Sequence, residues 1–257
     1  MSEIPEQDPE LSFLEHLVEL RSRLLKACLT VFVVLIALLP FSRLLWETLA
    51  APLLAQMPEG SSMIAIDVTS PFLTPFKLTL LISIMISIPV VMYQLWAFVA
   101  PALFKREKKL ARPLLFSSVF LFYAGCAFAY FVVFPLVFGF LTRVAPEGVA
   151  VMTDISKYLD FVITLFLAFG ITFEIPIATI ILVATGVTTA DKLASWRPYI
   201  VVGAFAVGMI LTPPDVISQT LLALPMWLLF EIGIILSRIL IQPEETEDEQ
   251  ETDQATN

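Results

Sequence analysis

The stretch Phe169-Gly170-Ile171-Thr172-Phe173-Glu174-Ile175-Pro176 puts a carboxyl group and a proline in the middle of a run, residues 161–190, that carries no other charge. About 20 apolar residues in helical form cross a hydrocarbon core of roughly 30 Å. The segment 159–183 is therefore long enough to span a membrane, with Glu174 well inside it. A charge at that depth costs about 2.5 to 3.5 kcal/mol on insertion scales, so the carboxyl group must face a cavity, meet a partner or hold a proton. Pro176 removes a backbone donor two residues later and bends the helix at nearly the same place.

Working outward, further apolar runs lie at residues 24–41, 75–99, 113–141, 199–211 and 216–236. Composition agrees: 58% of the 257 residues are hydrophobic, 21 are Phe, and the mean hydropathy is +0.87. Lys and Arg stay on the cytoplasmic side of a membrane, whereas acids contribute little to topology. Arg21, Arg23, Lys26, Lys105, Arg106, Lys108, Lys109, Arg112, Lys192, Arg197 and Arg238 fall on one side, against Arg43, Lys77, Arg143 and Lys157 on the other. The expectation is an all-α polytopic membrane protein of six transmembrane helices with both termini cytoplasmic. Residues 1–23 form a cytoplasmic segment with an amphipathic helix, 24–238 the six-span domain, and 239–257 an acidic, disordered tail. Seven acids between Glu244 and Asp253 account for most of the net charge of −9.

Local signals refine this plan. Ser12 and Glu15 have capping-box spacing, which predicts an interfacial helix that turns before entering the first span. Residues 43–56 predict a second interfacial helix, broken at Pro52, and Ser70-Pro71 predicts a helix restart before the second span. Residues 198–231 must supply two crossings and a turn, so each arm has about 16 residues and reaches roughly 24 Å. A short pair beside the longer run 113–141 predicts local membrane thinning and a cupped bundle. Pro89, Pro135, Pro176 and Pro225 bend their helices into curved walls.

Chemistry by nucleophile or nucleotide is not favoured. His16 is the sole histidine, no Gly-Lys pair exists to build a phosphate-cradling loop, and Cys28 and Cys126 fall within spans. No cofactor and no nucleic acid is expected. The informative groups are acids. Glu174 and Gln94 are polar groups within spans, and Glu107 interrupts the basic run Lys105-Arg106-Glu107-Lys108-Lys109. Charge pattern alone leaves Glu107 as either a ligand-reading carboxylate or a relief of cation repulsion. Glu19, four residues before Arg23, fits an exposed helical ion pair worth about 0.3 to 0.5 kcal/mol.

Four separated runs decide between these readings: His16-Leu17-Val18-Glu19-Leu20-Arg21, Trp96-Ala97-Phe98-Val99-Ala100-Pro101-Ala102-Leu103 leading to Glu107, Phe173-Glu174-Ile175-Pro176, and Leu211-Thr212-Pro213-Pro214-Asp215. In this order they resemble the TatC family, the C subunit of the twin-arginine translocase, from about Leu11 to Arg238. The resemblance implies a receptor and core, not an enzyme, in the bacterial cytoplasmic membrane, exporting folded proteins with the proton-motive force. It implies that Glu19, Arg21, Phe98 and Glu107 form the signal-peptide site and that Pro52 and Pro89 shape the framework. Glu174 would face a concave interior, and Thr212, Asp215 and Gln219 would form the docking patch for single-span A and B subunits. Twin-arginine signal peptides, those subunits, membrane lipid and further copies of the chain are the implied partners. Two guanidinium groups suit two carboxylates, because a planar fork makes paired hydrogen bonds that Lys cannot. The competing class is an ion-coupled secondary transporter of a small solute, motivated by Glu174, although no inverted repeat is evident. A third is an insertase-like scaffold, which would not need Glu19 and Glu107.

Overall fold

The computed structural model describes residues 9–54, 63–99, 111–137, 139, 152–211 and 216–241. Helix α1, Pro9–Leu38, passes through a short 3-10 turn, Leu39–Phe41, into α2, Ser42–Leu54. Helix α3 covers Ser70–Val99 and α4 covers Ala111–Phe128, continuing through one π turn, Ala129–Val133. The fourth apolar run is two helices, α5 at Ile155–Thr172 and α6 at Ile175–Ala184. A short α7, Ala190–Ser195, precedes α8, Arg197–Leu211, and α9, Val216–Leu240. Among the described residues, five stretches are long and apolar enough to cross a membrane: Leu17–Ala50, Ser70–Phe98, Arg112–Val137, Ile155–Ala184 and Gln219–Leu240.

Three expectations need correction. The first helix runs unbroken from Pro9 into the apolar run, without the turn expected after an interfacial helix, because residues 9–38 contain no proline or glycine beyond Pro9 to interrupt the ladder. Helix α2 continues two residues past Pro52 and ends at Leu54. The last pair is unequal: α8 has 15 residues and rises about 22 Å, but α9 has 25 and rises about 37 Å. Only α8 is shorter than the hydrocarbon core. Glu231, taken as the end of the final arm, sits well inside α9 because Arg238 is the first cation to follow it.

Lipid removes the hydrophobic drive between helices, so close approach depends on small residues and satisfied polar groups. A Cβ on Gly125 would lie 2.5 Å from the Phe169 carbonyl oxygen, and one on Gly170 would lie 2.6 Å from the Phe122 ring. These glycines let α4 and α5 touch, and Phe128 packs on Phe169 beside them with ring centroids 5.4 Å apart. Along α3, Thr79, Ser83 and Ser87 are buried, and each hydroxyl donates at 2.7 Å to the carbonyl four residues earlier. Their polar atoms are thereby satisfied within the helix, and the face stays narrow. The π turn in α4 lies just before Pro135, whose ring would crowd the carbonyl of Phe131 in a regular helix.

The loops on one side are tied together. Met63 and Ile64 pair in parallel with Thr153 and Asp154. Asp154 accepts from the Ser156 backbone at 3.4 Å and starts α5, while Tyr158 donates its hydroxyl to the Leu49 carbonyl of α2 at 3.1 Å. Ser70, Thr74 and Ser156 share a hydroxyl cluster at the first turns of α3 and α5. These contacts join α2, α3 and α5 on one side of the bundle.

Candidate functional site

Helix α1 lies chiefly along α3, so the part of α1 that carries Glu19 and Arg21 and the last turns of α3 belong to one packed pair. Glu19 accepts from Arg23 Nε at 2.9 Å and again from Arg23 Nη2, the i,i+4 pair that its spacing predicted. Its side chain keeps 36% exposure, and Arg21 is exposed beside it. Phe98 and Gln94 are half-buried near the end of α3. Glu107, Thr212 and Asp215 lie outside the described residues.

Glu174 occupies the break between α5 and α6. Pro176 at the second position of α6 cannot donate to the carbonyl four residues back, and Glu174 N–H instead bonds Ile171 O at 3.0 Å, three residues away. The helix therefore bends where the carboxyl group sits. Its Oε1 is buried with no hydrogen-bond partner. Elsewhere in the bundle, Ser118 Oγ of α4 accepts from Trp96 Nε1 of α3 at 3.1 Å. Sequence reasoning found Glu174 and missed the Trp96–Ser118 bond, since a lone serine in an apolar run carries no signal of its own.

Pro89 lies inside α3, which runs through it, and Pro52 inside α2. Gln219 is half-buried in the first turn of α9, against α8: a Cβ on Gly208 would stand 3.4 Å from the Gln219 carbonyl. At the other end of this hairpin, Arg197 forks onto Glu231, with Nε to Oε1 at 2.6 Å and Nη2 to Oε2 at 2.8 Å. Arg238 reaches Asp191 at 2.8 Å, tying α9 to α7. Lys77 pairs with Asp160 at 3.0 Å across α3 and α5. The sequence names all these residues, but their pairing across 34, 47 and 83 positions is a product of the fold.

Among the described residues no three His, Cys, Asp or Glu side chains converge as metal ligands, and both cysteines are free thiols. What the arrangement offers is recognition: acids and exposed cations near one rim, a carboxyl group at a bend within the membrane, and a hairpin held at one end by a forked ion pair.

The protein-family description "Sec-independent protein translocase protein (TatC)" matches residues 15–225. A Sec-independent protein translocase protein TatC from Azotobacter chroococcum mcd 1 is 55% identical over 245 residues, covering 95% of this chain and 96% of that relative. The protein of the same name from Escherichia coli strain K12 is 57% identical over 226 residues, 88% of each chain. The crystal structure of a twin-arginine translocase receptor, TatC, superposes with a TM-score of 0.77 at 39% identity, covering 87% of this chain and 98% of that one.

Proposed function

The chain belongs to the TatC family, and from that premise we propose that its cytoplasmic rim reads the paired arginines of signal peptides through Glu19 and Glu107. It is the receptor and core subunit of the twin-arginine translocase, a multi-pass protein of the bacterial inner membrane and not an enzyme. The proton-motive force drives export of the folded cargo.

Two arginines remain charged at every relevant pH and need carboxylates. The observation that supports the reading best is the exposure of Glu19 at 36% near the exposed Arg21, in a helix that packs along α3, whose last turn carries Phe98. An acid committed only to stabilising α1 would gain little there, since exposed i,i+4 pairs contribute only about 0.3 to 0.5 kcal/mol. Phe98 supplies an apolar contact for the signal, and Arg21 lines the same region.

The chain crosses the membrane six times, with α8 as the short crossing, and both termini face the cytoplasm. The bundle is cupped, residues 24–238 form its membrane domain, and residues 239–257 form a solvated acidic tail. Thr212, Asp215 and Gln219 dock the single-span A and B subunits, and further copies of the chain complete the receptor complex. Glu174 and Gln94 present polar groups to the concave side, with Pro52 and Pro89 shaping the framework. A photo-crosslinking scan of a twin-arginine signal peptide along Glu19, Phe98 and Glu107 tests this. Crosslinks at those positions that vanish when the arginines become lysines are the expected result; crosslinks elsewhere overturn it.

A further inference from the structure

Helix α3 carries a proline inside its membrane span. Pro89 has no backbone N–H, so the carbonyl four residues earlier, Met85 O, loses the donor that a regular helix would give it. Met85 lies near the middle of the span Ser70–Phe98, where the hydrocarbon offers no water to replace the missing bond. Another helix supplies it. Tyr123 of α4 donates its hydroxyl to Met85 O at 2.7 Å, across 38 positions of chain, an ordinary length for a hydroxyl donor.

The surroundings make that bond matter. Tyr123 and Met85 border an apolar cavity of about 340 Å³, walled by Leu81, Ile82, Ile86 and Phe166. Without the hydroxyl the Met85 carbonyl would face hydrocarbon, an unfavourable place for an unpaired polar group. A second bond joins the same two helices beyond Pro89, where Trp96 Nε1 donates to Ser118 Oγ at 3.1 Å. Helix α4 therefore holds α3 on both sides of the gap in its ladder. A helix turns most easily where its ladder is interrupted, so these two bonds bear on the direction of residues 90–99. Phe98 follows two residues after Trp96, on the last turn of α3.

We propose that Tyr123 is a positioning residue for signal recognition: its hydroxyl takes the place of the N–H that Pro89 lacks, and so fixes the direction of the final turns of α3, which carry Gln94 and Phe98 to the recognition rim. This rests on the receptor reading given above. Pro89 and Tyr123 then have one joint role, the proline opening the ladder of α3 and the tyrosine closing it from a neighbouring helix.

Tyr123→Phe removes one oxygen atom and leaves the ring in place. In the full chain in lipid nanodiscs, with a twin-arginine signal peptide as the probe, it should weaken binding by about fivefold, the factor that one neutral hydrogen bond is worth. Pro89→Ala returns an N–H to Met85 O. In that background Tyr123→Phe should change affinity by less than about twofold, whatever Pro89→Ala does alone. A second readout follows the helix itself. Spin labels at Phe72→Cys and Leu95→Cys, exposed positions of α3 on either side of Pro89, are placed in a chain carrying Cys28→Ala and Cys126→Ala. Their distance distribution should broaden on Tyr123→Phe with Pro89 present and stay unchanged with Pro89→Ala. Binding of Tyr123→Phe at wild-type affinity overturns the proposal, as does an equal loss in both backgrounds or an unbroadened distance with Pro89 present. Wild-type affinity in Glu107→Gln would count instead against the receptor reading, so the two failures are distinct.

Discussion

Arg197 and Glu231 meet through two parallel hydrogen bonds, Nε to Oε1 at 2.6 Å and Nη2 to Oε2 at 2.8 Å, across 34 residues of chain. This fork fixes the start of α8 to α9, which is also the main neighbour of α8. A short helix with so little other packing takes its place from that contact.

The pair can be tested through what the hairpin holds. Arg197→Lys keeps the charge but cannot reproduce the fork. It and Glu231→Gln should each reduce co-purification of the single-span subunits, and the double variant should lose no more than the worse single one. Additive losses would show that the two side chains act separately.

Gly233 sets a second helix contact. A Cβ there would fall 2.1 Å from Thr179 Oγ1 and 2.9 Å from Pro176 Cα, so Gly233→Ala must push α9 off α6. The expected cost is about 1 to 3 kcal/mol, as for overpacking generally, seen as a lower unfolding temperature in detergent. Gly203→Ala is the control, because nothing lies within 4 Å of its Cβ position, and it should be neutral or slightly stabilising.

Glu19 separates structural from recognition roles. Its ion pair with Arg23 is half-exposed, so Arg23→Gln should cost at most about 0.5 kcal/mol of stability. Glu19→Gln should be as stable yet lose most binding of a twin-arginine peptide. Equal binding losses in the two variants would assign Glu19 to the helix and not to the ligand.

Gln219→Leu removes one of the polar groups at the mouth of the α8–α9 hairpin. Association with the single-span subunits should weaken by about 1 to 2 kcal/mol, the scale of a hydrogen bond between helices in a membrane. Co-purification at wild-type levels would remove Gln219 from the docking surface.

The five long spans were legible because a bilayer demands long apolar runs, and such runs can be counted. Glu174 was legible because a charge in one of them is costly, and its bend because Pro176 follows it. The length of α9 was misjudged when Glu231 was treated as a boundary: an acid ends an apolar run only when nothing pairs with it, and Arg197 does so here. The continuity of α1 was hidden by a polar first half that reads as interfacial although its backbone has nothing to interrupt it. Ser118 was invisible for another reason. A hydroxyl placed against the Trp96 indole depends on how two helices cross, and no periodicity within one of them encodes that.

The central claim is that carboxylates at the cytoplasmic rim read a pair of arginines, and it is tested most directly by the affinity of the purified receptor for a signal peptide with two arginines against the same peptide with two lysines, in wild type and Glu107→Gln. The wild-type chain should prefer the arginine peptide, and Glu107→Gln should lose about 10- to 150-fold in affinity for it, the worth of one charge-assisted hydrogen bond, while binding the lysine peptide as before. An unchanged arginine preference in Glu107→Gln would contradict the account.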